Sequence, residues 1–292
     1  MTNAPAGQEP IITTFVTIHT FVWTCSSIII LTAVLSPNVQ RLPTWINLNL
    51  SWIIACFVYA FLLTTGQLYK ANPSPNICLF QGATVNALPP LVAGTTLALA
   101  LQLWLNVCPL PAKRIYTISP RHRDLILIVF PYVVPLIEFF SSFGYAVRHP
   151  EQATLTNSGM FCGLKHSLPG KISTIYSALL VIPTVFVEGM ISQHIYRNWY
   201  KPSNKNGRDA FAMMIRFALF TLFGIVGVIV SVLNLTIEAD SAVVNILESL
   251  PPMSFVFIFG LQEDLVQVWL SWRQKPREKS TQTFSMYSTE TA

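Results

Sequence analysis

Charge is what this sequence has least of: 11% of its 292 residues are Asp, Glu, Lys or Arg, while 52% are hydrophobic. Soluble domains carry about 25% charged residues, so a water-soluble globular fold is excluded. A basic n-region is also lacking. The leader MTNAPAGQEP is short and polar, so no cleaved signal peptide is expected and the first apolar run should stay as a helix. With a leader this short, no folded ectodomain is expected. The apolar runs lack the two-residue alternation of a membrane barrel, so helices are expected instead of strands. Clustered metal ligands are missing as well. His19 and His194 fall in separate apolar runs, while His122, His149 and His166 fall between runs, so neither a metal site nor another cofactor is expected. No catalytic constellation stands out, and an enzyme is not the reading. A retinal-binding lysine in the last run is absent too.

What is present is a series of long apolar stretches. A hydrocarbon core of about 30 Å needs about 20 apolar residues of helix. Seven stretches qualify or nearly do: Ile11–Leu35, Thr44–Thr65, Cys78–Leu110, Leu125–Val147, Ile172–Tyr196, Phe211–Leu235 and Val244–Gly260. The third is long enough to need a strong tilt. The seventh is short and carries Pro251-Pro252. The expected fold is therefore an all-α membrane bundle of seven helices. It is preceded by a short outer N-terminus (1–10), spans 11–260, and is followed by an interfacial helix (261–274) and a disordered Ser/Thr-rich tail (275–292).

Basic residues in the connections set the orientation. With the N-terminus outside, the cytoplasmic side receives Arg41, Lys113, Arg114, Arg121, Arg123, Arg197, Lys201, Lys205, Arg208, Arg273, Lys275, Arg277 and Lys279, thirteen in all. Only Lys70, Arg148, Lys165 and Lys171, four in all, fall outside. The net charge of +5 thus reads as topology and attraction to anionic lipid, with no nucleic acid implied.

Three of the five cysteines (Cys25, Cys56, Cys108) lie inside spans and read as small packing residues. Cys78 opens the third span at its outer end, and Cys162 lies in the long outer loop Arg148–Lys171. They are either two free thiols or a disulfide. The oxidising outside favours the bridge, which would pin the loop across the mouth of the bundle.

Polar groups in a membrane helix must face other helices or a water-filled cavity. Gln81, Thr84, Ala87, Thr95, Ala98, Gln102 and Asn106 trace a small or polar face on the third span. Ser177, Thr184, Glu188 and Ser192 do so on the fifth; Arg216, Phe220, Gly224, Gly227, Ser231 and Asn234 on the sixth; Asn245, Glu248 and Pro252 on the seventh. Close packing through small residues accounts for most of these. The acids are harder to dismiss. Glu248 lies about 6 Å inside the outer end of its span at 1.5 Å per residue, a depth suited to a binding pocket. Glu138 sits mid-span and reads as an interhelical partner. Glu188 and Arg216 fall near the inner ends of neighbouring spans. Isolated charges there cost roughly 2.5–3.5 kcal/mol each on the insertion scale, so an ion pair between them is expected, either constant or formed in one state only.

After Gly260 the segment GLQEDLVQVWLSWRQ puts Leu265, Trp269 and Trp272 near one face, as in a helix lying in the interface. The tail beyond is rich in Ser and Thr, a composition that is disordered and open to phosphorylation.

Seven spans, an outer N-terminus, the Cys78–Cys162 pair, an amphipathic eighth helix and a Ser/Thr tail together resemble a G-protein-coupled receptor over nearly the whole chain. The stretches LPTWINLNLSWIIACFVYAF, CLFQGATVNALPPLVAGTTLALALQLW and FIFGLQEDL resemble divergent rhodopsin-like receptors of basidiomycete fungi. The resemblance implies a tethering disulfide and a plasma-membrane location. It also implies contact of a heterotrimeric G protein with the inner ends of the third, fifth and sixth helices, where Lys113, Arg114, Arg197, Lys201 and Arg208 form a basic rim. A small extracellular ligand near Gln81, Thr84, Asn245 and Glu248 would favour the arrangement with the inner ends of helices five and six apart. Departures are clear: NVCPLPAKR stands where Asp-Arg-Tyr would be, the sixth span has no Cys-Trp-x-Pro, and LPPMSFVFIFG replaces Asn-Pro-x-x-Tyr. The rival readings are a small-solute transporter, for which no three-helix repeat is visible, and a fungal pheromone receptor.

Overall fold

The computed structural model describes residues 9–37, 39, 41–107, 119–165, 167–198, 205–237 and 242–273. Long helices dominate: α1 (Glu9–Leu35), α2 (Pro43–Tyr59) with the short α3 (Phe61–Thr64), α4 (Pro75–Val107), α5 (Pro120–Arg148), α6 (Leu168–Asn198) and α7 (Lys205–Ile237). The chain continues through α8 (Ala242–Glu248), α9 (Leu250–Gly260) and α10 (Glu263–Arg273). Six segments are long and apolar enough to cross a membrane: α1, α4, α5, α6, α7 and the pair α8–α9. The chain is a multi-pass helical membrane protein.

The second expected span is the exception among the seven. Its helix stops at Tyr59 after 17 residues, Ala60 interrupts it, and the chain resumes as the four residues of α3. Gly66, at φ +66°, ends that turn, and Gln67 N donates back to Leu62 O at 2.8 Å. A left-handed residue closing a helix in this way leaves glycine with the least strain.

The most buried of the six crossing segments is α4, because small residues let its neighbours close on it. A Cβ at Gly94 would stand 3.3 Å from Pro131 of α5, and one at Gly82 would stand 3.2 Å from the backbone of Gly163. Polar bonds fasten the same helix toward one end of the bundle. Ser51 and Thr95 hydroxyls meet at 2.9 Å and Gln102 accepts from Thr44, while Asn47 of α2 donates to Ile128 O of α5 at 3.1 Å. By contrast α5 presents Leu125, Val129, Val133, Leu136, Ile137 and Phe140 outward. An unbroken apolar surface of this kind suits hydrocarbon, not water.

The expected outer loop Arg148–Lys171 holds a small hairpin. Strands β1 (Ala153–Leu155) and β2 (Cys162–Leu164) pair antiparallel, with Leu155 opposite Cys162. Gly159, at φ +72°, makes the turn. The sequence offered no alternation long enough to reveal strands of three residues. At the opposite end of the bundle, α10 is fastened by Arg41, whose guanidinium lies 2.6 Å from Asp264 and 5.2 Å above the Trp45 ring. Trp269 Nε1 also donates to Thr32 Oγ1 at 2.9 Å. Leu265 of α10 is buried.

Candidate functional site

The site is built under the hairpin. Cys78, in the first turn of α4, is bonded to Cys162 of β2 across a Cα–Cα distance of 4.9 Å. One turn further along α4, Gln81 accepts from Cys162 N at 3.0 Å through its amide oxygen and donates from Nε2 to Val58 O at 2.8 Å. Disulfide and amide together hold the hairpin, α4 and α2 in one register. An apolar cluster of Ile12, Phe15, Val16, Leu62, Leu68, Met160 and Phe161 surrounds the bridge. The start of α1 therefore lies at the same end of the bundle as the disulfide.

Beneath this roof is a cavity of about 400 Å³, within the range for small-molecule sites. Every helix from α1 to α9 except α3 and α5 contributes to its walls. From α1 comes His19; from α2 come Trp52, Cys56 and Tyr59; from α4 come Val85, Asn86 and Pro89. The hairpin adds Thr156 and Phe161, and α6 adds Ser173, Thr174, Ser177 and Thr184. Opposite stand Phe220, Thr221, Gly224, Gly227 and Ser231 of α7, Asn245 and Glu248 of α8, and Pro251-Pro252 of α9. Aromatic rings set its shape. Phe161 meets Tyr59 edge-on at 5.2 Å, and Trp52 meets Phe220 edge-on at 6.2 Å.

The hydrogen bonds around the cavity have one direction. Ser177 donates to Ser173 O, Thr184 to Leu180 O, Thr174 to Gly170 O and Thr96 to Val92 O, at 2.7–3.1 Å. Ser173 donates to Asn86 O at 2.5 Å, and Thr156 to Phe161 O at 2.9 Å. Thr221 donates to the Glu188 carboxylate, and the Ser231 hydroxyl has two acceptors in reach, Glu248 Oε1 at 2.9 Å and Gly227 O at 3.0 Å. Each hydroxyl has a single proton, so toward the cavity these groups offer lone pairs. His19 Nδ1 lies 2.9 Å from Phe15 O. A carbonyl only accepts, so Nδ1 carries the proton and Nε2 of the neutral ring is an acceptor. The amide nitrogens of Asn86 and Asn245 donate to Ser142 and Ser167 and to Ser158, respectively.

Of the four residues expected at a ligand site, Asn245 and Glu248 line the cavity. Gln81 forms part of its roof instead, with both amide ends engaged by the protein. Thr84 donates to Phe80 O at 2.7 Å and is not part of the lining. The faces proposed on the fifth, sixth and seventh spans do converge, since Ser177, Thr184, Gly224, Ser231 and Glu248 share this one space. Glu188 is held by Thr221; among the described residues no ion pair of 4.0 Å or less joins it to Arg216. The buried Glu138 keeps Oε1 without a hydrogen-bond partner among the described residues. On the basic rim, Arg197 stands exposed near the end of α6. Lys113, Arg114 and Lys201 lie outside the described residues, as do the side chain of Arg208, that of Trp272 and the Ser/Thr tail.

Among the lining residues that the sequence does not assign to a ligand site are His19, Tyr59 and Asn86. Each is a polar group inside an apolar run, which is a signal in itself. Asn86 falls between the steps of the polar face traced on its helix, and no periodicity picks out a single His on α1. No family model matches the chain, and no curated protein is significantly similar to it.

Proposed function

We propose that the chain is a seven-helix receptor of the plasma membrane that binds a small extracellular ligand in the cavity beneath the hairpin and signals to a heterotrimeric G protein. The observation that carries this reading is the cavity itself, about 400 Å³ and walled by residues of α1, α2, α4, α6, α7, α8 and α9. A ligand there touches nearly every helix at once, so it can distinguish two arrangements of the bundle, and only such differential contact shifts their populations. On this reading residues 43–65 make the seventh crossing. Helix α2 alone rises about 26 Å at 1.5 Å per residue, and the α3 turn completes the distance. The disulfide needs an oxidising compartment, so the hairpin and the start of α1 face outside. The bias of basic residues toward the other connections agrees. In the second arrangement Glu188 would exchange Thr221 for Arg216 as the inner ends of α6 and α7 move. The likeness to fungal rhodopsin-like receptors rests on the quoted stretches of sequence.

The test is nucleotide exchange. Purified receptor in lipid nanodiscs, presented with small-molecule panels, should accelerate nucleotide release from a fungal G-protein α subunit when a cavity ligand is added. Solute uptake into vesicles without any effect on the G protein would refute the reading in favour of a transporter.

A further inference from the structure

We propose that the cavity takes an organic cation, a protonated amine carried on an apolar or aromatic body, with the Glu248 carboxylate as its counter-charge. This rests on the reading of the cavity as the ligand site. The lining contains one carboxylate, Glu248, and no Lys or Arg among the described residues. The uncharged polar groups point the same way. Ser173, Ser177 and Thr184 give their protons to backbone carbonyls, and His19 directs its proton at Phe15 O. What faces the cavity therefore offers more acceptors than donors, the Tyr59 hydroxyl being the donor among them. An ammonium group, which has only donors, complements that wall. A carboxylate ligand would meet lone pairs and a like charge. A sugar would need donors as often as acceptors.

The apolar part of the ligand has its place as well. Trp52, Tyr59, Phe161 and Phe220 share the walls with Glu248, and aromatic faces attract organic cations in desolvated sites. Ser231 Oγ lies 2.9 Å from Glu248 Oε1 and 3.0 Å from Gly227 O, which places the carboxyl group against α7 before a ligand arrives.

Three probes with one body test this on the full chain in nanodiscs: 3-phenylpropylamine, 3-phenylpropan-1-ol and 3-phenylpropionate, with binding read by ligand-observed NMR. The amine is expected to bind about tenfold or more tighter than the alcohol, equivalent to about 1.4 kcal/mol, and the carboxylate weakest. Glu248→Gln should erase the preference for the amine and leave the alcohol unchanged. Should that variant fail to fold, Ser231→Ala should weaken the amine several-fold and spare the alcohol. An alcohol or carboxylate that binds as well as the amine overturns the proposal, as does a preference that survives both variants or an amine that does not bind. Gly224→Phe separates this failure from that of the underlying reading. A Cβ at Gly224 meets nothing within 4 Å, so the ring projects into open space and should fill the cavity. Probes that bind Gly224→Phe as well as the wild type place the site elsewhere, and the receptor reading loses its ligand site. Probes that Gly224→Phe excludes but that show no charge preference leave the cavity standing and remove only the cation.

Discussion

Gln81 shows how much a single side chain can fasten in a bundle with little charge. Its buried amide joins α2, α4 and the hairpin through two bonds. Gln81→Leu would leave Cys162 N and Val58 O without these partners. Each net hydrogen bond is worth about 0.5–1.5 kcal/mol, and an orphaned buried group costs about 1–3 kcal/mol. The thermal midpoint of the purified variant is expected to fall accordingly; an unchanged midpoint would mean that the disulfide alone holds the hairpin. Two glycines one turn apart on α7 make a second residue-scale test. A Cβ at Gly227 would stand 3.0 Å from Pro251 Cγ, whereas one at Gly224 meets open space. Pro251 has a stiff ring, so Gly227→Ala should cost about 1–3 kcal/mol as overpacking does. Gly224→Ala should leave the melting temperature where it was or raise it slightly.

At the scale of elements, α10 is attached by unlike fasteners. The Arg41–Asp264 ion pair is short, at 2.6 Å, but Asp264 is 39% exposed, and pairs open to solvent contribute about 0–1 kcal/mol. The half-buried Trp269 instead donates from its indole to the buried Thr32 hydroxyl at 2.9 Å. Trp269→Phe is therefore expected to raise amide exchange across 263–273 more than Asp264→Asn does, as read by hydrogen exchange with mass spectrometry. Equal effects would show that the ion pair is better shielded than its exposure indicates. Helix α10 was legible in the sequence, because spacing alone put Leu265 and Trp269 on one face. The α2–α3 break was not. The run from Thr44 to Thr65 is apolar throughout, and hydropathy does not register a helix that ends at Ala60 and turns again.

At the scale of the molecule, one covalent bond joins parts of the chain 84 residues apart. Closing a loop of that length restricts the unfolded chain, and such bridges typically stabilise by about 2–4 kcal/mol. The Cys78→Ser, Cys162→Ser double variant should melt markedly lower than the wild type and should not respond to reductant. A wild type equally indifferent to reductant would show that packing, not the bridge, holds the roof.

The sequence by itself determined the solvent and the class, and it placed two cysteines where a bridge could form. Long apolar runs cannot stay in water, polar groups within them must turn inward, and two cysteines at the same end of the bundle can meet. Those are local properties of a chain in a bilayer, and a one-dimensional reading captures them. Tertiary structure alone decided that Gln81 braces the roof while Asn245 and Glu248 reach the cavity, that Glu188 is held by Thr221, and that His19, Tyr59 and Asn86 belong to the site. It also decided the direction of the Ser and Thr hydrogen bonds that leave most of these hydroxyls as acceptors toward the cavity. The reason is physical: the phase of one helix against another is set by side chains packing across distant segments, and a proton goes to whichever acceptor that packing brings nearest.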